Sequence, residues 1–189
     1  MKDLDLKFQK YKKKIYSKSG IGELYERQIR YLYEKDNWRA IPYGILKGKN
    51  DLGRDLICLK GNQVLIIQAK NWSKNKFIHE KHIMQLAGTI LYYIYKNKKT
   101  PQGVFVTTTK FSDRAKDVAK KLNIQCLNIG LDKEFPMIKC NVNKKGKKLF
   151  FLPFDKFYDQ VHIEKYKDEF YAKTIEECLE KGFKHGGKK

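Results

Sequence analysis

Three polar residues stand at the ends of two neighbouring apolar runs of the chain. Asp55 opens the first run, at 56–59, and Gln68 and Lys70 close the second. The segment 60–62 between the runs has the composition of a tight turn, so the stretch predicts a β-hairpin. Because side chains alternate across a strand, Gln68 and Lys70 project to the same face. The hairpin therefore predicts that an acid, an amide and an amine converge.

Such a set could bind a hard divalent cation and hydrolyse a phosphodiester. Carboxylate and amide oxygens are ligands that Mg²⁺ prefers, and the ion keeps several waters, so two or three protein oxygens suffice. Lys70 could orient or activate one of those waters, or stabilise the charge that builds on the phosphate. On the spacing alone a structural interpretation is favoured, in which Asp55 caps a turn and Lys70 is a surface strand residue.

Two helices are predicted before the hairpin. Apolar residues recur at helical spacing over 3–16, which predicts a basic amphipathic N-terminal helix within a segment 1–18. This helix could pack on the body of the protein or lie along DNA, and packing is favoured. A second helix is predicted over 21–34 with Ser19 as its N-cap. Glu26 is an acid on a face of this helix that has few polar neighbours.

The elements that follow alternate between strands and helices. A strand is predicted at 38–43, a flexible link at 44–50 and, after the hairpin, a helix at 80–95. The buried face of that helix is predicted to contain Ile83, Leu86, Ala87, Ile90, Leu91 and Ile94. Strands at 104–107 and 124–129 flank a helix capped by Ser112, so the pattern predicts an α/β sheet with helices on both faces.

The pattern changes after Gly130, and residues 133–189 are predicted to form an appendage to a core at 19–132. Runs at 137–142 and 149–154 flank a very basic turn and predict a hairpin. A further strand is predicted at 158–163, and a short helix over 174–182 that begins after Thr174 and ends at Gly182.

The composition favours a polyanionic partner. The formal net charge is +20, from 41 Lys and Arg against 21 Asp and Glu, so nucleic acid is the expected partner. A surface that is simply rich in lysine is the alternative for any single run. The four cysteines have no metal-ligand spacing, no apolar run approaches the ~20 residues of a membrane span, and a cytoplasmic, reducing location is expected.

Five blocks in the chain resemble the PD-(D/E)xK nuclease superfamily, specifically its Mrr-like restriction endonuclease branch. They are G-E-L-Y-E-R at 22–27, D-L-G-R-D-L-I at 51–57, Q-A-K-N-W at 68–72, Q-L-A-G at 85–88 and V-F-V-T-T-T-K-F-S at 104–112. The resemblance implies a restriction-endonuclease-like core of order αβββαβ, in which a mixed central sheet is flanked by helices. It also implies Mg²⁺-dependent DNA cleavage of the restriction type, with Mn²⁺ expected to substitute.

The resemblance also implies roles for individual residues. Asp55 matches the metal-binding aspartate, Lys70 the catalytic lysine and Glu26 the helix glutamate that assists the metal site. Gln68 stands where the superfamily more often has Glu or Asp, so the metal should depend more on the two carboxylates. Asp51 matches a loop residue that is expected to orient the chain before the strand. The structural alternative for Glu26 is an ordinary solvated helix acid.

The expected DNA contacts are less specific. Gln85 could touch the metal site or the DNA backbone, and packing as a polar residue of the core is an equal alternative. Thr108 and Ser112 could hold a phosphate, although capping is the favoured role of Ser112. Phosphate contacts are also expected from the lysine runs, which are Lys12, Lys13, Lys14, Lys144, Lys145, Lys147 and Lys148. A homodimer is expected because cutting both strands needs two sites. The alternatives are a structure-selective nuclease such as a Holliday-junction resolvase, and a catalytically inactive DNA-binding protein with the same fold.

Overall fold

The computed structural model describes residues 2–14, 16–48 and 52–187. Within these ranges the helices are α1 (Lys2–Lys12), α2 (Lys18–Lys35), α3 (Tyr43–Lys47), α4 (Glu80–Asn97), α5 (Asp113–Lys121) and α6 (Ile175–Glu180). The strands are β1 (Arg39–Ile41), β2 (Leu56–Lys60), β3 (Gln63–Lys70), β4 (Phe77–Ile78), β5 (Gln102–Thr107), β6 (Lys110–Phe111), β7 (Ile124–Asn128), β8 (Ile138–Val142), β9 (Lys148–Phe151), β10 (Phe170–Ala172) and β11 (Lys184–His185).

A five-stranded mixed sheet with the order β1-β2-β3-β5-β7 forms the centre of the fold. The adjacent pairs β1–β2 and β2–β3 are antiparallel, whereas β3, β5 and β7 are parallel. The carboxyl ends of the parallel strands therefore meet at one edge, where Lys70 is the ladder partner of Thr107. The predicted hairpin is the β2–β3 pair, and the predicted α/β class with a mixed sheet flanked by helices is confirmed.

The two faces of the sheet are covered by different helices, because successive residues of each strand point to opposite sides. On one face Ile67 and Ala69 of β3 pack with Tyr25 and Ile29 of α2. On the other face Ile66 belongs to a second apolar cluster, which α4 and α5 complete. Alternation along β3 thus assigns Gln68 and Lys70 to the α4 side of the sheet.

A second sheet, of order β10-β8-β9-β11, organises the C-terminal third of the chain. The β8–β9 pair is the antiparallel hairpin predicted from the sequence. Its apolar cluster includes Phe8 of α1 and Leu24 of α2, so the basic N-terminal helix packs against this unit through Phe8. The sequence did not predict β10 and β11, which consist of only three and two residues.

A buried polar cluster joins α2 to this C-terminal unit. Arg30 donates from Nε to Glu34 Oε1 at 2.8 Å and from Nη1 to the Asp159 carbonyl at 2.9 Å. Lys139 of β8, only 1% exposed, donates to the Val161 carbonyl at 2.9 Å. Burial opposes ionisation of Glu34, yet the Arg30 guanidinium holds its pKa below the ordinary value. Burial, followed by the charge of Arg30, lowers the pKa of Lys139 well below its usual range.

This cluster explains why the strand predicted at 158–163 is wrong. Residues Tyr158–Gln160 form a 3₁₀ turn instead. The carbonyls of the segment face inward and accept hydrogen bonds from Arg30 and Lys139. Carbonyls that satisfy buried cations are not available for a strand ladder.

Three local predictions differ from the structure near the central sheet. The N-cap of α2 is Ser17, whose hydroxyl accepts from the Gly20 N–H at 3.2 Å, whereas Ser19 lies inside the helix. The link predicted as flexible contains the short helix α3. Leu91 was predicted to be buried, but it is 66% exposed. The Asp51 prediction falls outside the described residues.

Helix α4 has an exposed apolar face as well as a buried one. Met84, Leu91 and Tyr95 lie on the outer side of the helix at 60%, 66% and 73% exposure. Among the described residues, no helix combines the length and the apolar character needed to cross a bilayer.

Candidate active site

Asp55 is held at the start of β2 by the neighbouring strand. Its N–H donates to the Ile67 carbonyl at 3.0 Å, which continues the antiparallel β2–β3 ladder by one residue. One carboxylate oxygen, Oδ2, accepts from the Ala69 N–H at 2.6 Å, and the side chain is buried. The hairpin therefore fixes this carboxylate beside the end of β3.

Glu26 reaches the same place from α2, and the two carboxylates meet around Gly44 of α3. A Cβ atom built on Gly44 would lie 3.2 Å from both Asp55 Oδ1 and Glu26 Oε2. These two oxygens can therefore be no further apart than twice that distance. The Gly44 N–H also donates to the Asp55 carbonyl at 3.0 Å, so α3 is anchored against the aspartate. The missing side chain of Gly44 leaves the space that the carboxylates share.

Gln68 lies at the end of β3, 1% exposed, beneath the loop that leads into Asp55. A Cβ atom on Gly53 would lie 3.3 Å from Gln68 Nε2, and Gly53 has a φ of +76°, so glycine suits this position in two ways. Thr89 of α4 ties the loop down, because its hydroxyl donates to the Leu52 carbonyl at 2.6 Å. The Gln68 Oε1 atom is buried with no hydrogen-bond partner among the described residues.

Lys70 closes β3 on the same face as Gln68 and is half-buried. Its carbonyl accepts from the Thr107 hydroxyl at 2.8 Å, which fixes the backbone at this point. His82 of α4 lies within electrostatic reach: burial first, and then the charges of Lys81, His79 and Lys70, lower its pKa. The lysine is thus positioned on the α4 side of the sheet.

The residues expected to contact DNA are distributed differently. The Thr108 hydroxyl exchanges hydrogen bonds with the Trp72 backbone at 2.8 and 2.9 Å, so it already has both partners. The Ser112 hydroxyl accepts from the Ala115 N–H at 3.1 Å and caps α5, the favoured alternative. Gln85 has an exposed side chain on α4, one turn before Thr89.

The predicted lysine runs do not lie on the elements that carry the candidate site. Lys12 at the end of α1 pairs with Glu134 at 2.7 Å, and Lys13 and Lys14 follow it along the chain. The second run surrounds the β8–β9 turn, where Lys144, Lys145, Lys147 and Lys148 are exposed. Both runs therefore belong to the surface of the C-terminal unit and of the helix packed on it.

The donor set fits a hard cation better than a zinc-type site. Within the described ranges, no group of three or more His, Cys, Asp or Glu residues is disposed to hold a metal ion. The set instead combines two converging carboxylates, from Glu26 and Asp55, with the neutral oxygen of Gln68. Oxygen ligands of this kind suit Mg²⁺, and an unsatisfied buried carbonyl oxygen is the type of atom a cation would engage.

Several residues that shape this site were missed in the sequence. Gly44 falls in the link predicted as flexible, and Thr89 lies within the predicted helix 80–95 without an assigned role. Arg54, buried next to Asp55, has its guanidinium 4.5 Å from the centre of the Tyr43 ring. For Arg54 and Thr89 the sequence offered only proximity to residues already predicted in the site, because Arg54 is adjacent to Asp55 and Thr89 lies one turn after Gln85. Neither spacing reveals a contact between elements that are distant in sequence.

A family model described as a restriction endonuclease, the Mrr catalytic domain, matches residues 8–130. The chain belongs to this Mrr family. The match covers α2, the central sheet and the helices on both of its faces, and therefore includes Glu26, Asp55, Gln68 and Lys70. The C-terminal unit after residue 130 lies outside the Mrr match.

Solved structures are similar to parts of this chain at low sequence identity. A repair endonuclease from Pyrococcus abyssi has 11% identity and a TM-score of 0.45 over 62% of this chain and 48% of that one. EndoMS in its apo form has 12% identity and a TM-score of 0.43 over 63% and 48%. A protein of unknown function has 19% identity and a TM-score of 0.43 over 55% and 56%. The chain thus matches about half the length of these proteins. No curated protein matches the sequence.

Proposed function

We propose that this Mrr-family protein is a Mg²⁺-dependent endonuclease that hydrolyses phosphodiester bonds of DNA in restriction-type cleavage. The observation that carries the proposal is the meeting of Glu26 and Asp55 oxygens around Gly44, beside the buried Gln68 amide. Mn²⁺, which accepts similar oxygen ligands, is expected to substitute for Mg²⁺.

The proposed mechanism assigns one task to each side chain. Glu26 and Asp55 would hold the metal with their carboxylates, and Gln68 would add its carbonyl oxygen. When bound, Mg²⁺ supplies Lewis-acid polarisation of the phosphate and lowers the pKa of a coordinated water. Lys70 would orient the attacking water and stabilise the negative charge that grows on the phosphate. The Asp55–Ala69 hydrogen bond keeps the aspartate in place and orients its second oxygen.

DNA is the proposed partner because the chain is strongly basic. A net charge of +20 attracts a polyanion over distances set by the ionic strength. The lysines at the end of α1 and around the β8–β9 turn would contact the flanking backbone, so affinity should fall steeply with salt.

The test compares cleavage of plasmid DNA by the wild type and by site variants. Asp55→Ala and Lys70→Ala are each expected to lower the rate by a factor of about 100 or more, since each removes a group that acts in the transition state. Lys99→Ala, at an exposed position after α4, is the control and should cut at the wild-type rate. The proposal fails if the wild type leaves every form of DNA intact with both Mg²⁺ and Mn²⁺, or if the Asp55 and Lys70 variants cut as fast as it does.

We also propose that the cutting form is a homodimer joined along the exposed face of α4. Met84, Leu91 and Tyr95 extend along about 16 Å of helix, and a two-fold axis would place each copy's face against the same face of its partner. A contiguous exposed apolar patch is a common feature of protein contact surfaces. Leu91→Glu should shift the mass measured by light scattering from two chains to one, and Leu122→Glu, at another exposed leucine, should not. A wild type that is monomeric at all concentrations would contradict the dimer.

A further inference from the structure

A two-stranded ladder beyond the central sheet places an aromatic ring beside a lysine. β4 and β6 pair in parallel, with Phe77 opposite Lys110 and Ile78 opposite Phe111. Ile78 and Phe111 are buried in the apolar cluster under α4 and α5, so Phe77 and Lys110 are turned to the solvent. Phe77 is 44% exposed. A single exposed phenylalanine is common on protein surfaces. Phe77 is of interest because Lys110 lies opposite it and the candidate active site is near.

The strands of this ladder follow, along the chain, the two strands that end at the candidate active site: β4 follows β3, and β6 follows β5. Thr107, the partner of Lys70, is only three residues before Lys110, so their Cα atoms are no more than about 11 Å apart. The connection is fixed by hydrogen bonds, including those between Thr108 and the Trp72 backbone. With one interstrand spacing of about 5 Å added at each end, the Cα atoms of Lys70 and Phe77 are no more than about 21 Å apart. This is about six steps of a DNA strand at roughly 3.4 Å each, so one strand can extend from Lys70 to Phe77.

The surroundings of Phe77 combine an open groove with positive charge. A groove of about 560 Å³ is lined by Phe77, Phe111, Asn128 and the first turn of α5. It shares Lys110 and Asn128 with a second groove of about 380 Å³, which extends to Lys74. Asp113 is the acid that lines the larger groove, and Lys116 pairs with it at 3.0 Å.

We propose that this ladder binds an unpaired nucleotide of the DNA substrate, with the base stacked on Phe77 and its phosphate beside Lys110. Every base has a flat π-face, so an exposed ring binds an unstacked base whatever its identity, and adjacent lysines follow the backbone. Paired bases inside a duplex do not offer that face. The proposal rests on the proposed DNA cleavage, and it adds a preference for DNA in which a strand leaves the duplex near the cut.

The test measures binding without divalent metal, so that no cleavage occurs. Fluorescence anisotropy would compare a blunt duplex with a forked duplex of the same sequence that carries a single-stranded arm. The wild type should bind the forked duplex more tightly. Phe77→Ala should weaken binding to the forked duplex by about tenfold and change binding to the blunt duplex by less than about twofold. Phe77→Trp keeps an aromatic face and should retain the preference.

Phe157→Ala is the matched control. Phe157 is 40% exposed and has Lys156 5.7 Å from its ring centre, but it lies in the C-terminal unit. Its replacement should leave binding to both DNA forms unchanged. Lys110→Gln should weaken binding to both forms and reduce the slope of log affinity against log salt by about one.

The outcomes separate this inference from the proposed function. If the protein cuts DNA with Mg²⁺ but Phe77→Ala binds both forms like the wild type, the nucleotide site is wrong and the nuclease proposal stands. If the protein binds the forked duplex through Phe77 but cuts nothing, the nuclease proposal is wrong and the binding site stands. A wild type without preference for the forked duplex also overturns the site.

Discussion

Adding one methyl group to Gly44 tests whether the space between the carboxylates is essential. The new Cβ of Gly44→Ala would lie 3.2 Å from Asp55 Oδ1, from Glu26 Oε2 and from the Asp55 Cα. The Asp55 backbone cannot move easily, since its N–H bonds Ile67 and its carbonyl bonds Gly44. The two carboxylates must therefore shift by a few tenths of an ångström.

The expected effect is on metal binding more than on folding. Mg²⁺ requires near-ideal octahedral geometry at about 2.0–2.1 Å, so it tolerates displaced ligands poorly. We expect Gly44→Ala to weaken metal affinity by about 10- to 100-fold, as disturbed neighbours of metal ligands usually do. The free energy of unfolding should change by less than about 1 kcal/mol, because the lower chain entropy of alanine in the unfolded state offsets the tighter contacts.

The assay is the initial rate of plasmid cleavage as a function of Mg²⁺ concentration, with thermal unfolding measured in parallel. Gly22→Ala is the matched control, because Gly22 lies on α2 one turn before Glu26 and a Cβ there meets nothing within 4 Å. Gly44→Ala should need more Mg²⁺ for half-maximal rate, and Gly22→Ala should not. An unchanged Mg²⁺ dependence in Gly44→Ala would refute the inference that Glu26 and Asp55 share a metal in this space.

Three further predictions follow from the contacts around the site and the polar cluster. Thr89→Val removes the hydrogen bond to the Leu52 carbonyl, so it should lower the stability by about 1 kcal/mol and slow cleavage by loosening the loop over Gln68. Thr89→Ser keeps the hydroxyl and should retain both the stability and the cleavage rate. Equal cleavage by the two variants would contradict this role. Glu34→Gln should cost about 3–5 kcal/mol in urea unfolding, because it leaves the Arg30 charge buried without its acid; a loss within error would contradict it. Folding lowers the pKa of Glu34, so the stability that the ionised carboxylate contributes should be present above its ordinary pKa of 4.5. That contribution should be lost as the pH falls through the pKa of Glu34 in the folded protein, and Glu34→Gln should lack this part of the acid transition.

The sequence predicted the central fold well because its signals are local. The apolar runs and turn residues around 60–62 specify the β2–β3 hairpin, and the helical spacing in 80–95 specifies α4. Alternation along β3 was sufficient to assign Gln68 and Lys70 to one face. The helical pattern already marked Glu26 as an acid among few polar neighbours, and the family resemblance implied its role. The structure brings Glu26 to Asp55 around Gly44. The roles of these residues stay predictions.

The remaining features depend on contacts between distant parts of the chain. The polar segment 158–163 reads as a strand until Arg30 and Lys139 are known to bond its carbonyls. Leu91 fits the edge of the helical stripe of α4, but in the structure it lies on the outer side of the helix with Met84 and Tyr95. Gly44 gives no local signal, because its importance comes from two carboxylates that approach it from separate elements.

The buried charges between α2 and the C-terminal unit impose an order on the maturation of the chain. A ribosome releases the N-terminal part first, so Arg30 and Glu34 emerge long before Asp159 and Tyr171, to which they are hydrogen bonded in the finished protein. Until then these charges must stay in water, and α2 cannot settle fully against its final neighbours. Glu26 lies one turn before Arg30 on that helix. The last third of the chain therefore completes the burial of α2, the helix that carries Glu26.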